Sequence, residues 1–333
     1  MDLSAQQFSI PVMQQQLTIR DCEQLDQVYE SMFEYDSVQL HRSSLINQIQ
    51  LLASPRVVLY QERYYTKVWY MGALRSGMIA FSLPAKASPG LWWKRQLKRC
   101  EVPFARSSRF HEMVYPETMS HIVVVLSEDF LFGIAESQGV GLQALNLTGR
   151  SIQCDPLVFE SVRQTLLRLI TAQCQYSELL QNSGLFDEQI ASLILKLLTQ
   201  RVQTRSVESQ SAMVPSVASR IVQIVQQQRS VPTIKELCRM LGMSRRTMEL
   251  HFRNETDESP VRFLRVRRLC AARRDLLQTL PGTTSVTRIM QRNGFRDAGR
   301  FAAMYSQMFD ELPRRTLNRV PRIAPVICSP GID

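Results

Sequence analysis

Arg245, Arg246, Thr247 and Glu249 fall close together in the stretch TIKELCRMLGMSRRTMELHF, which runs from Thr233 to Phe252. Two guanidinium groups, a hydroxyl and a carboxylate at this spacing do not form a catalytic set. They form a hydrogen-bonding surface, of the kind that meets phosphates and the edges of bases. To present it, the chain must bury what lies between. Ile234, Leu237 and Leu241 recur at helical spacing, and Met248 and Phe252 make a second stripe. Thr233 and Ser244 are suited to cap two helices, and Gly242 to turn the chain between them. The predicted helix–turn–helix leaves the four polar side chains on the outer face of its second helix, as in DNA-reading units. A helical hairpin with solvated charges shares this local pattern, so the rest of the chain must separate the two.

Charge does so. The formal net charge is +10 over 333 residues. From Pro215 onward there are 21 Lys and Arg against 10 Asp and Glu, whereas residues 1–214 hold 19 against 20. Twenty of those 21 basic side chains are arginine. A basic module joined to a neutral one points to nucleic acid as partner of the first.

Other function classes find little support. His41, His111, His121 and His251 show no metal-ligand spacing. Cys22, Cys100, Cys154, Cys174, Cys238, Cys270 and Cys328 are odd in number and contain no C-x-x-C pair, which predicts reduced thiols and no zinc site. The chain has no G-x-S-x-G, no P-loop and no dinucleotide fingerprint. No enzyme, catalytic residue, metal or cofactor is therefore expected. No apolar run reaches the ~18–20 residues of a bilayer span, and MDLSAQQFSI lacks the order of a secretory leader. A cytoplasmic protein without a membrane partner is the expectation.

The elements that carry the basic face are predicted as follows. Hydrophobic residues make up 44% and charged residues 21% of the chain, which suits globular cores. Residues 1–50 are polar and Gln-rich, with a helical pattern in DCEQLDQVYESMFE. RVVLYQERYYTKVWYMGAL, GMIAFSLP and HIVVVLSEDFL read as strands of a small antiparallel β unit. Tyr64, Tyr65, Trp69, Trp92 and Trp93 either line a pocket there or fill its core. Amphipathic helices over about 157–180 and 186–202 close that unit or form a homodimer interface. The run 204–215 reads as a linker. Beyond it, Ser259-Pro260 opens a long helix that buries Phe263, Leu264, Leu269, Ala272 and Leu276, spreads Arg262, Arg265, Arg268 and Arg273 around its polar sides, and stops at Pro281-Gly282. A second unit follows, with Ser285 as cap, Gly294 at the turn, and Ile289, Met290, Phe301 and Tyr305 buried. The predicted fold is α+β: an N-terminal β unit with flanking helices over 1–203, a linker over 204–215, then an all-α domain over 216–320. That domain holds helix–turn–helix units at 233–253 and 285–306, and a tail follows over 321–333.

LGMSRRTMELHFRNETDESPVRFLRVRRLCAARRDLL, followed by NGFRDAGRFAAMYSQMFDELPRRTL, resembles the DNA-binding domain of the AraC/XylS transcription regulators. The ending GRFAAMYSQMF is most similar to the branch that includes the ethanolamine-utilisation regulator. Two positions depart from the pattern: Asp257 and Asp310 stand where many relatives have glycine. The resemblance implies a bacterial regulator on the nucleoid that binds promoter DNA, activates by recruiting RNA polymerase, and responds to a small-molecule effector at its N-terminal domain. Two alternatives stay open: a regulator without a ligand, acting through expression level or a protein partner, and a repressor. One relative couples this domain to alkyl transfer through a zinc-bound cysteine, which the scattered cysteines here do not favour.

Carried over residue by residue, the base-reading positions of the first recognition helix fall on Arg246, Thr247, Glu249 and Leu250. Arg246 suits a guanine, and Glu249 suits a cytosine amino group or else an ion pair with Arg245 or Arg253. Arg245, Arg253 and Ser244 are assigned to phosphates, which position without specifying. In the second unit, Asp297, Ala298, Gly299, Ala302 and Ala303 offer few long side chains, so Arg296 and Arg300 are its candidates for the groove. The first unit is thus expected to discriminate sequence and the second to add affinity. A linker helix of ~18 residues spans about 27 Å, close to the ~34 Å between successive major-groove faces.

Overall fold

The computed structural model describes residues 10–41, 46–85, 91–92, 95–107, 110–145, 147, 150–200, 216–228, 231–256, 258–280 and 283–319. The predicted linker 204–215, the tail 321–333, Trp93, Asp257 and Pro281-Gly282 lie outside them.

Period-2 alternation begins earlier than the sequence reading placed it. Met13–Ile19 (β1) alternates exposed glutamines with inward side chains and pairs with a later strand, although its composition is polar. Cys22–Tyr29 (α1) follows, capped by Asp21, and stops well before the end of DCEQLDQVYESMFE. Phe33 there already starts Phe33–Gln39 (β2). Asn47–Ala53 (β3), Val57–Tyr64 (β4), Val68–Leu74 (β5), Met78–Pro84 (β6), Leu91–Trp92 (β7), Arg95–Gln96 (β8), Glu101–Arg106 (β9), Phe110–Tyr115 (β10) and Ser120–Ser127 (β11) complete most of the β region. Glu128–Ser137 (α2), Leu142–Leu145 (α3), Ser151–Gln153 (β12), Pro156–Thr171 (α4), Ser177–Gln181 (α5) and Ser183–Thr199 (α6) close the N-terminal part.

These strands form two antiparallel sheets, ordered β1-β3-β4-β11-β6-β9-β12 and β2-β5-β10-β7-β8. Alternation along each strand assigns its two faces to different cores. Val57 and Leu59 face outward to α2, α4 and α6. Val58 and Tyr60, with α1 residues Leu25 and Val28, fill the space between the sheets. The outer face of the second sheet presents Val38, Trp69 and Val114, which join the core of the C-terminal helices.

Those helices are Val217–Gln227 (α7), Ile234–Leu241 (α8), Arg245–Thr256 (α9), Pro260–Gln278 (α10), Val286–Arg292 (α11), Ala298–Phe309 (α12) and Pro313–Leu317 (α13). The molecule is therefore layered: helices, a sheet, a second sheet, then the helical domain. Among the described residues no helix is long and apolar enough to cross a membrane.

Candidate nucleic-acid interface

The first unit is held by local chemistry at each corner. Thr233 and Glu236 form a reciprocal capping box: Thr233 Oγ1 accepts from the Glu236 amide at 3.3 Å, and the Glu236 carboxylate accepts from the Thr233 amide at 2.7 Å. Gly242 takes φ 65°, ψ 32°, where a side chain would be strained. Ser244 Oγ accepts from the Thr247 amide at 3.1 Å and so caps α9. Leu237, Leu241, Met248 and Phe252 are buried. This leaves Ser244, Arg245, Arg246, Thr247, Leu250 and Arg253 exposed and Glu249 half-buried, with no N-terminal element over them among the described residues.

Glu249 is already engaged: Arg245 Nε donates to its Oε1 at 2.7 Å, one turn along the helix. That is the ion-pair alternative to cytosine reading, and the structure adopts it. Arg246 has no hydrogen bond or ion pair among the described residues, so its guanidinium is available to a base.

The second unit repeats the scaffold. Ser285 Oγ accepts from the Arg288 amide at 3.2 Å, Gly294 turns at φ 79°, and Asp297 Oδ1 accepts from the Arg300 amide at 2.7 Å. Phe301 and Tyr305 are buried. Arg296, Asp297, Ala298, Gly299, Arg300 and Ala303 are exposed and Ala302 is half-buried. Asp310, one of the two departures from the family pattern, ends α12 in the left-handed region at φ 56°, ψ 28°.

The linker helix corrects the sequence reading. Of the four arginines assigned to its polar sides, Arg268 donates to the carbonyls of Val231 and Pro232 at 3.2 and 3.1 Å, which pins the approach to α8. Arg262 donates to the Leu40 carbonyl at 3.1 Å. Arg273 is buried, with Nη1 on Glu311 at 2.6 Å and Nη2 on Asp21 at 2.8 Å. Only Arg265 of the four is exposed without such an engagement. The reason is that α10 packs against both helix–turn–helix units and against β2, so little of its circumference meets solvent.

The N-terminal part also holds a cavity, to which Tyr64 of the five named aromatics contributes. It has a volume of about 40 Å³ and lies between the sheets, bounded by Tyr29, Tyr35, Tyr60, Glu62, Tyr64 and His121. Glu62 is 3% exposed. It accepts from the Tyr29 hydroxyl, from Asn47 Nδ2 at 3.0 Å and from the Tyr64 hydroxyl at 2.9 Å, and its other oxygen lies 2.7 Å from His121 Nε2. Burial first, and the Glu62 charge second, hold the hydroxyls of Tyr29, Tyr60 and Tyr64 well above the ordinary tyrosine range. They are neutral donors. The available signal was the period-2 placement of Tyr60, Glu62 and Tyr64 on one face of β4, paired with β11 so that Glu62 faces His121.

Two aromatics proposed for a pocket lie elsewhere. Tyr65 is exposed. Trp69 points from the opposite face of β5 into the helical domain, 5.8 Å from Phe252 and 5.2 Å from Phe263 between ring centroids. His41 Nδ1 lies 2.8 Å from Glu117 and Nε2 lies 2.8 Å from Glu258, which joins the two parts of the chain through a pair of polar contacts.

Residues 237–319 match the family described as a helix-turn-helix domain. The probable thc operon regulatory protein of Rhodococcus erythropolis is 39% identical over 89 residues, 27% of this chain and 27% of that protein. The XylDLEGF operon transcriptional activator 2 of Pseudomonas putida is 32% identical over 101 residues, 30% of this chain and 64% of that protein. The matched segments therefore span less than two thirds of either relative. Among solved structures, the AraC-like transcriptional activator CuxR is 14% identical, with 77% of this chain and 94% of that one covered and a TM-score of 0.39.

Proposed function

We infer, from the match of residues 237–319 to a helix-turn-helix domain, the likeness to two operon regulators and the resemblance of the motifs to the AraC/XylS regulators, that this chain is a sequence-specific DNA-binding transcription regulator. The observation that carries this reading is the pair of exposed recognition helices, α9 and α12, hung on one helix and left uncovered by the N-terminal sheets. Arg246, Thr247, Glu249 and Leu250 read bases from the first unit, with Arg296 and Arg300 reaching base edges from the second chiefly for affinity. Arg245, Arg253 and Ser244 meet phosphates. Reading a cytosine with Glu249 requires its pair with Arg245 to open, which releases Arg245 towards the backbone.

As the matched relative from Pseudomonas putida is an operon activator by name, activation through RNA polymerase is the proposed outcome, in the bacterial cytoplasm on the nucleoid. The cavity around Glu62 is the proposed effector site. Its volume of about 40 Å³, room for roughly three waters, also favours a second reading in which no effector binds. The test is selection of duplexes from a random DNA library by the full chain, followed by footprinting with and without candidate metabolites. A consensus of two half-sites about one helical turn apart is expected. A single half-site, or no enrichment, would overturn the two-unit reader. A footprint indifferent to every metabolite, with no heat on titration, would favour the ligand-free reading.

A further inference from the structure

We propose that Arg273 is a positioning residue for the second helix–turn–helix unit, and that α1 ties it to the cavity around Glu62. The state of the cavity would then set where α12 lies. This rests on the DNA-binding reading above.

The guanidinium of Arg273 meets three parts of the fold at once. It is 3% exposed on the linker helix. Nη1 donates to Glu311, just beyond α12, and lies 3.4 Å from the hydroxyl of Tyr305 within it. The plane stacks over Phe309 at 4.6 Å from the ring centroid. Nη2 donates to Asp21, 252 residues away in sequence. Arg273 is thus the joint between α12 and the N-terminal part.

Asp21 is the cap of α1. Its Oδ1 accepts from the Gln24 amide at 2.9 Å while its Oδ2 holds Arg273. One carboxylate therefore serves both helices, and α1 cannot shift without taking Arg273 along or letting it go. The last residue of α1 is Tyr29, whose hydroxyl bonds to Glu62 in the cavity. Eight residues of helix make a rod of about 12 Å with one end on the cavity and the other on the linker helix.

The joint has a second position to occupy. Glu23 stands 4.0 Å from Arg273 Nε and 3.9 Å from Arg274 Nε. Both its carboxylate oxygens, and Arg273 Nε, are buried without a hydrogen bond. A small rotation of α1 exchanges Asp21 for Glu23 as the acceptor of Arg273. Two discrete arrangements of one joint are what a coupling device requires.

The test uses the full chain, a duplex that it selects from a random library, and the same duplex with the second half-site scrambled. Affinities are measured by fluorescence anisotropy for wild type, Asp21→Asn and Tyr29→Phe. Tyr29→Phe removes one hydroxyl and keeps the ring, so it guards against an Asp21→Asn that fails to fold. The expected result is that each variant loses about fivefold or more of the preference for the intact duplex, while its affinity for the scrambled one changes less than about twofold. An unchanged preference in Tyr29→Phe, or equal weakening on both duplexes, would overturn the coupling. A wild type that selects no duplex would instead overturn the DNA-binding reading on which it rests.

Discussion

The two helix–turn–helix units share a scaffold and differ in their outward faces and in what secures them. Each has a side-chain cap, a left-handed glycine and a buried pair on its second helix, Met248 and Phe252 in the first and Phe301 and Tyr305 in the second. The first offers Arg246, Thr247, Glu249 and Leu250 and is secured by an apolar contact, Phe252 and Phe263 against Trp69, with the polar contacts of Glu258 and Arg262 beside it. The second offers alanine, glycine and two arginines, and is secured by an ion cluster of Glu311 on Arg273, with Asn293 Nδ2 donating to Asp275 at 2.9 Å. Close-packed rings fit in one arrangement, whereas an ion cluster can exchange partners. The unit assigned to sequence reading is thus mounted rigidly, and the unit assigned to affinity is mounted on something that can switch.

The largest expected effect tests the mounting. Arg273→Met removes the cation that bridges Asp21 and Glu311, and should cost about 3–5 kcal/mol of stability in urea unfolding, the range for a buried pair broken from one side. A loss below about 1 kcal/mol would show that the ions are not what secures the second unit. Arg246→Ala should cost about 1–3 kcal/mol of binding and relax the consensus at one position, whereas Arg300→Ala should weaken all sites alike and reduce the salt slope by about 1. Equal loss of specificity in a binding-site selection would erase the division of labour.

A pH titration sharpens the contrast further. Burial, and after it the neighbouring Asp21, push the Glu23 carboxyl up from 4.5 to about 7. A group whose pKa is raised by folding favours the fold while protonated. Its contribution is complete below about pH 4.5 and is lost as pH rises through 7. Asp187, pushed up to about 6 chiefly by burial, adds a similar loss at lower pH. Denaturant midpoints should therefore fall as pH rises through this window, and Glu23→Gln should flatten the upper part alone. An unchanged profile in that variant would place the titration elsewhere. The smallest effect concerns Asp310, whose φ of 56° suits glycine. Asp310→Gly should raise stability by about 0.5–1 kcal/mol, and a lower melting temperature would contradict this.

Local patterns carried the C-terminal helices into view: Thr233, Gly242, Ser244, Ser285 and Gly294 act through bonds to neighbours a few residues away, so composition and spacing suffice to recognise them. The β region was legible only in part. β1 is an edge strand whose Gln14 and Gln16 face solvent, and its strand character comes from pairing with β3, which no local preference reveals. Of the cavity the sequence pointed to Tyr64 alone, since Tyr29, Glu62 and His121 converge from α1, β4 and β11.

The sequence by itself determined that two capped, glycine-turned units with a basic outer face would form, because each turn closes on its own chemistry. It also placed the arginine excess on one side of the chain. Only the tertiary structure decided which arginines meet solvent. Arg246 and Arg300 remain outside, while Arg268 and Arg273, identical in type and drawn from the same helical run, are taken up by carbonyls and carboxylates brought from elsewhere. A guanidinium goes to whatever acceptors the fold carries within reach, and that reach crosses 252 residues at Asp21.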